Sequence, residues 1–299
     1  MNGILLIDKP SGITSSGCVY RLRKLLKNKK IGHCGTLDPL ASGLLPICIG
    51  EATKFSSYIS EQRKEYRVKI LLGIETDSGD ITGKKISEVN FNVPLKDIKN
   101  VLDKSKGMQT QLPPMYSALK FKGRPLYSWI RKGIYLKREK RRISINRIDL
   151  ISRDSANIFT LLVSCSKGTY IRSLTESIGK KLGTKATVLE LRRTKIGMIG
   201  EGNLFKLENS SLDSCKKALI NCDSILKHIP LITLTSAEVK KFRNGQQVDY
   251  NARQEKEGIV RIYEEDSSFI GLGSIDSSLK ISPKRLMSTT KTPDCLHND

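Results

Sequence analysis

The sequence predicts an α+β fold with a mixed or antiparallel central sheet and a smaller β-rich unit at its C-terminal end. Two observations carry this reading. Candidate strands come in clusters between helices instead of in strict strand–helix alternation, which argues against a doubly wound parallel sheet. A boundary falls near residues 228–233, beyond which a short helix, a turn and two further strands follow.

The elements read in order as follows. Residues 3–7 are a short apolar strand. Thr14, Ser15 and Ser16 offer N-caps to a helix in which Val19, Leu22, Leu25 and Leu26 recur at helical spacing. Residues 64–74 read as a strand with Tyr66, Val68, Ile70 and Leu72 on one face. Helices are entered through Pro94 (94–104) and Pro125 (125–132), where a proline costs no helical hydrogen bond. Strands are expected at 142–152 and 157–165, a helix capped by Thr169 over 170–182, and a strand at 186–193. Past the boundary come a helix over 235–242, a turn at Asn244-Gly245, and strands near 258–263 and 268–275. Residues 289–299 are polar and read as a flexible tail.

Composition narrows the function. The chain has 299 residues, 38% of them hydrophobic, which is enough for a sizeable core. Its formal net charge of +22 predicts attraction to a polyanion, with nucleic acid the first candidate. No uncharged apolar run approaches the roughly 20 residues of a membrane helix. The start, MNGILLIDKP, carries Asp8 in its apolar stretch and no basic region, so it does not read as a signal peptide. Seven scattered cysteines without a C-x-x-C pair, and three histidines, argue against a disulfide frame and against zinc. The composition points to a reduced, cytoplasmic protein without a metal.

Two basic segments stand out. Arg21, Arg23, Lys24, Lys27, Lys29 and Lys30 crowd one helix and its exit, with no acid among residues 21–30. Residues 131–142, RKGIYLKREKRR, carry seven basic residues and one acid. Each can be a solvated face. Clusters this dense also make efficient phosphate binders through counterion release, and that reading is preferred here for Arg131, Lys132, Lys137, Arg138, Arg141 and Arg142.

The chemistry centres on Gly32-His33-Cys34-Gly35-Thr36-Leu37-Asp38-Pro39. An Asp before proline is pushed toward extended geometry, and nearby glycines let the loop turn sharply. On its own, Asp38 can be a nucleophile, a general base or a turn cap. His33 can be structural or can contact a base. Tyr66 can face the core with Val68 and Ile70 or present its ring to a ligand. No P-loop, no G-x-G-x-x-G and no zinc-deaminase signature occurs.

This motif, GHCGTLDPLASGLLPICIGEATK (32–54), resembles the catalytic segment of the TruB-type tRNA pseudouridine synthases. LLIDKPSGITS (5–15), KEYRVKILLGIETDSGD (64–80), PPMYSALKFKGRPLYSWIRKGI (113–134), CSKGTYIRSL (165–174) and VLELRRTKIG (188–197) resemble further segments of that family, in order. A weaker likeness to the PUA RNA-binding domain covers about the last quarter. The resemblance implies a pseudouridine-synthase catalytic domain over 1–230, with an RNA-gripping region at 115–143, and a PUA-like domain over 231–288. It implies that Asp38 is the catalytic nucleophile, paired with Arg172, which keeps it ionised and lowers its pKa. By the same resemblance Tyr66 stacks on a flipped uracil, Tyr170 and Leu191 wall the pocket, and His33 contacts the RNA; the group that removes the ring proton stays open, with Tyr66 placed to be considered. Asp80 matches a second acid near the site, Asp77 a turn cap, and Lys9 a residue buttressing the pocket. Cys34 stands where the family commonly carries Thr or Gly and reads as a small filler. The implied substrate is the T-arm of tRNA. No cofactor, no membrane and no obligate protein partner are implied, and the chain is expected to act as a monomer. The rival readings are a non-catalytic RNA-binding or tRNA-folding protein, and a relative acting on another RNA.

Overall fold

The computed structural model describes residues 1–250 and 257–288. Its first strand, β1 (Gly3–Lys9), lies inside the main sheet and is buried along most of its length. Helix α1 (Ser15–Leu26) begins at the Thr14 cap, whose hydroxyl accepts from the Gly17 N–H at 2.9 Å, and buries Cys18, Val19 and Leu22. Strand β2 (Ile31–His33) leads through the Asp38 loop into β3 (Ser42–Ile49). Proline cannot donate to a ladder; Pro46 sits opposite Leu6 of β1 on one edge of β3 and, on the other edge, falls between the stretches paired to β12 (42–43) and β2 (47–49).

A 3-10 turn over Gly50–Phe55 and helix α2 (Ser56–Ser60) lead to β4 (Lys64–Leu72). There Tyr66, Val68, Ile70 and Leu72 alternate inward as the sequence predicts. Next come the pair β5 (Ile74–Thr76) and β6 (Lys85–Glu88), helix α3 (Leu95–Asp103) behind Pro94, and β7 (Gly107–Gln111). The segment that follows is sparse in structure: β8 (Lys120–Phe121), β9 (Arg124–Pro125) and helix α4 (Leu126–Ile130). Helix α4 is shorter than the predicted 125–132, because the chain turns back at Gly133, φ +74°.

Two long strands, β10 (Arg141–Arg153) and β11 (Ile158–Cys165), form a hairpin and are followed by helix α5 (Ile171–Lys181). Thr169 does not cap that helix. Tyr170 is its N-cap residue and offers no side-chain bond, its N–H going to the Gln111 side chain at 2.8 Å. Strand β12 (Ala186–Ile196) runs three residues past the expected 193. The short strands β13 (Ile199–Gly200) and β14 (Phe205–Lys206) and helix α6 (Leu212–Ala218) close this part of the chain.

The sheet has ten strands in the order β14-β1-β3-β12-β4-β11-β10-β7, with β2 beside β3 and β13 beside β12. It is mixed: β1 with β14 and β3 with β12 are parallel, the remaining pairs antiparallel. Helices α1, α3 and α5 contribute Leu22, Leu102, Leu174 and Ile178 to one core with Val68, Ile70 and Leu161 of the sheet. Truncating one such fully buried leucine to alanine typically costs about 2–5 kcal/mol.

The remaining residues form a five-stranded sheet, β15-β17-β18-β19-β16, from β15 (Leu231–Leu234), β16 (Val248–Asp249), β17 (Gly258–Glu264), β18 (Phe269–Ile275) and β19 (Lys280–Leu286). Helix α7 (Ser236–Arg243) starts in a reciprocal cap between Thr235 and Glu238. Its Phe242 is fully buried in a separate core with Val260, Ile262 and Ile281. The two sheets meet at Phe55 and Phe269, ring centroids 5.6 Å apart. There Lys54 donates to the Leu286 carbonyl at 2.8 Å, and Glu51 accepts from the Ser288 hydroxyl at 2.6 Å. The expected tail at 289–299 lies outside the described residues. No helix among the described residues is long and apolar enough to cross a membrane.

Candidate active site

The loop between β2 and β3 is clamped from three sides. The Lys9 ammonium, fully buried, donates to the carbonyls of Pro10 (2.9 Å), Pro39 (3.3 Å) and Ala41 (2.6 Å). At the start of α1, the Ser15 hydroxyl donates to the Leu37 carbonyl and accepts from the Leu37 N–H. The Gly12 N–H reaches the Pro39 carbonyl at 2.8 Å. Gly35, at φ +110°, makes the sharp turn a side chain would strain.

Asp38 stands on this clamped loop with its side chain 29% exposed, while Arg172, on the first turn of α5, is 4% exposed. Arg172 Nε donates to Asp38 Oδ2 and Nη2 to Oδ1, both at 2.8 Å. Two parallel bonds of this kind fit a guanidinium and not an ammonium. Arg172 is itself held by the carbonyls of Ser78 (2.8 Å) and Tyr116 (2.7 Å). Asp80 lies 3.7 Å from Arg172 Nη1 and accepts from the Thr82 hydroxyl at 2.6 Å. Asp77 accepts the Lys84 N–H at 2.8 Å and caps its turn.

The electrostatics correct one expectation. Burial pushes the Asp38 carboxyl above its ordinary pKa, and the Arg172 guanidinium pulls it down without reversing the shift. The pair with Arg172 opposes burial without overcoming it, so the Asp38 pKa is raised where the resemblance implies a lowered one. Burial also lowers the Lys9 ammonium to about 8. His33 is shifted down, first by burial and then by the nearby Arg193 charge, so its imidazole is neutral at pH 7. Its Nδ1 is buried without a hydrogen-bond partner.

Tyr66 is 8% exposed and Leu191 6%, and their strands are hydrogen-bonded neighbours. Tyr66 sits with the core-facing residues of β4, and Asp38 is near enough to act on its acidity. Tyr170 is half-buried at the head of α5, its carbonyl accepting from Gln111 Nε2 at 3.0 Å. Cys34 is a buried filler whose Sγ lies 3.2 Å from Cys48 Sγ. Lys9 reads differently from its assignment as a substrate-binding residue: its donors are spent on carbonyls of the loop, which it holds from beneath.

Around the 115–143 region, Arg131, Lys132, Lys137, Arg141 and Arg142 are exposed. Arg131 lies over the Tyr127 ring at 5.5 Å. Arg138 departs from the group, because its Nη1 donates to the Pro113 carbonyl at 2.8 Å and its Nε is buried. On α1, Arg23 is likewise engaged, with the Ile31 carbonyl at 2.7 Å, and Lys30 pairs with Glu51. A cleft of about 900 Å³ beside Arg172 is lined by Ser78, Tyr116, Arg138, Ser173 and Glu176. Among the described residues no group of three or more His, Cys, Asp or Glu side chains could hold a metal ion.

The sequence reading missed Arg193. Its side chain is fully buried beside Tyr66 and bonds the carbonyls of Leu44 and Gly35. The signal was present, since alternation along β12 puts Arg193 on the same face as Leu191.

The chain is similar to known proteins over nearly its whole length. Residues 23–171 match the family described as TruB family pseudouridylate synthase (N terminal domain), and residues 230–287 match Pseudouridine synthase II TruB, C-terminal. A protein of Chromobacterium violaceum named tRNA pseudouridine synthase B is 40% identical over 291 residues, covering 96% of this chain and 95% of that one. Its namesake in Dechloromonas aromatica is 41% identical over 290 residues, covering 96% of each. In fold, the chain is similar to one in the structure of an H/ACA RNP bound to a substrate RNA containing 2′-deoxyuridine. That match has a TM-score of 0.73 at 23% identity, covering 96% of this chain and 85% of the other.

Proposed function

This chain belongs to the TruB family of pseudouridine synthases, and from that premise we propose that it isomerises one uridine in the T-loop of tRNA, position 55, to pseudouridine with Asp38 as the essential carboxylate. The observation that carries the reading is the bidentate pair between a partly exposed Asp38 and a buried Arg172. A carboxylate so placed is oriented and reachable.

The reaction breaks the bond from uracil N1 to the ribose and forms a bond from C5 to the same carbon. The proton on C5 leaves and N1 ends protonated, so the exchange is redox neutral. The target must first leave its stack, at a cost of a few kcal/mol, which a snug pocket offsets. Asp38 meets the everted nucleoside as the nucleophile. Arg172 orients that carboxylate and holds its charge. Tyr66 stacks on the uracil, its buried phenol kept protonated, while Leu191 and Tyr170 close the sides of the pocket. Neutral His33 contacts the RNA where the nucleotide has left. Asp80 supports Arg172 from behind.

Lys132, Lys137, Arg141 and Arg142 grip the phosphates of the T-arm. Residues 1–230 form the catalytic domain and 231–288 a PUA-like domain that adds a second contact, since folded RNA is read largely by shape. The protein acts as a cytoplasmic monomer. The test is chemical mapping of pseudouridine in transcribed tRNA after incubation with the protein. A single new pseudouridine in the T-loop supports the reading. Tight tRNA binding with no modified base would favour the RNA-folding alternative.

A further inference from the structure

The mechanism above leaves the buried charge nearest the reacting groups, Arg193, without a task. Arg193 is 1% exposed, and its described bonds run to two backbone carbonyls: Nε to Leu44 O at 2.8 Å and Nη2 to Gly35 O at 3.1 Å. It enters none of the ion pairs found among the described residues. A guanidinium cannot shed its proton to escape burial, and a buried charge without a counter-ion is costly. Such costs concentrate at functional sites.

Its surroundings say what the charge holds. Along the antiparallel ladder of β12 and β4, Arg193 lies directly opposite Tyr66. The register slips between Arg193 and Lys195, a bulge of the kind that re-aims a side chain. On its other edge Arg193 is level with Gly43 of β3, where an added Cβ would come 2.4 Å from the Arg193 carbonyl. The two strands therefore approach as closely as backbone allows. Gly35 lies on the approach to Asp38, and Leu44 lies in the strand that leaves the loop. One planar side chain thus touches both ends of the Asp38 loop while facing Tyr66.

We propose that Arg193 is a positioning residue for the reaction, clasping the two ends of the Asp38 loop and fixing them against the strand that carries Tyr66. This rests on the roles given above to Asp38 and Tyr66. Lys9 clamps the outer part of the same loop through Pro39 and Ala41, so the loop is gripped by two buried cations. A lysine at 193 offers one compact ammonium in place of a fork and cannot span both carbonyls in the same geometry.

The experiment compares full-length Arg193→Lys and Arg193→Met with the unaltered protein. It measures single-turnover pseudouridine formation, tRNA affinity and thermal unfolding. The expected result is a rate lower by roughly 100-fold for Met and about 10-fold for Lys, with tRNA affinity within about twofold, as for a displacement on the ångström scale. Combined with Tyr66→Phe, Arg193→Lys should cost less than it does alone, because both act through one arrangement. An unchanged rate in a folded variant, a loss confined to affinity, or full additivity with Tyr66→Phe would overturn the proposal. If Arg193→Met does not fold, Arg193→Lys carries the test, and failure of both to fold would assign the residue to stability alone and overturn it too. No product from the unaltered protein would overturn the functional reading and this inference with it. Normal turnover by the Arg193 variants would overturn this inference alone.

Discussion

Arg172 and Asp38 are 134 residues apart in the chain and share two hydrogen bonds of 2.8 Å. The geometry makes the carboxylate's charge depend on a balance of burial, which opposes it, and the guanidinium, which favours it. Arg172→Gln removes the larger of the two nearby cationic influences. Activity needs the ionised form, so the acid limb of the rate profile should move to higher pH in the variant. Single-turnover rates across pH read this directly. A limb that stays in place would mean that Arg172 does not control the charge on Asp38.

Lys9 gives a pH signature in stability. Its pKa is about 8 in the folded protein against an ordinary 10.5, so between those values the unfolded chain binds more protons. Stability contributed by this group therefore rises with pH through that window, by on the order of 3 kcal/mol in full. Lys9→Met should lose that rise, leaving the part due to Lys64, which burial also lowers to about 8. Denaturant unfolding at several pH values between about 7.5 and 10.5 measures it. Parallel curves for the two proteins would contradict the assignment.

The grip on RNA should be electrostatic. Charge removal at Lys132, Lys137, Arg141 and Arg142 should weaken tRNA binding and flatten its salt dependence, by about 0.7–0.9 in log–log slope for each phosphate no longer neutralised. Arg138→Gln should act differently, lowering thermal stability through its bond to Pro113 with little change in slope. Filter binding at a series of salt concentrations separates the two classes.

Much of this was legible beforehand, and the exceptions have physical causes. Inward alternation in β4 and the Thr14 cap of α1 are local patterns, visible in a short window. Strand β7 was not, because its GMQTQ sequence is polar and exposed at the edge of the sheet, where no apolar face is required. Strands β15 and β19 were missed for a related reason. Leu231–Leu234 reads as a linker until β17 lies beside it, and Pro283 interrupts β19. The Asp38–Arg172 pairing joins residues separated by most of the catalytic part of the chain, so only the family resemblance suggested it. The downward pKa expected for Asp38 failed because sequence shows the partner charge and not the depth of burial.

Glu51 joins the two sheets. Lys30, Lys54 and Ser288 hold its carboxyl well below the usual carboxylate range. Stability from this group is present above about pH 4.5, the ordinary glutamate value, and is lost as pH falls toward its depressed value. Since Lys30 is largely exposed, Glu51→Gln should cost only about 1 kcal/mol at neutral pH. Amide exchange in β19 should quicken in the variant while α5 stays protected. Equal protection of β19 in both proteins would show that Glu51 does not hold the second sheet in place.

The most direct measurement is pseudouridine formation by Asp38→Asn, which keeps the shape of the side chain and removes its charge. The expected result is no detectable product in the T-loop, with tRNA bound within a few-fold of the unaltered affinity. Product formed at an undiminished rate would contradict the assignment of Asp38 as the group on which the reaction depends.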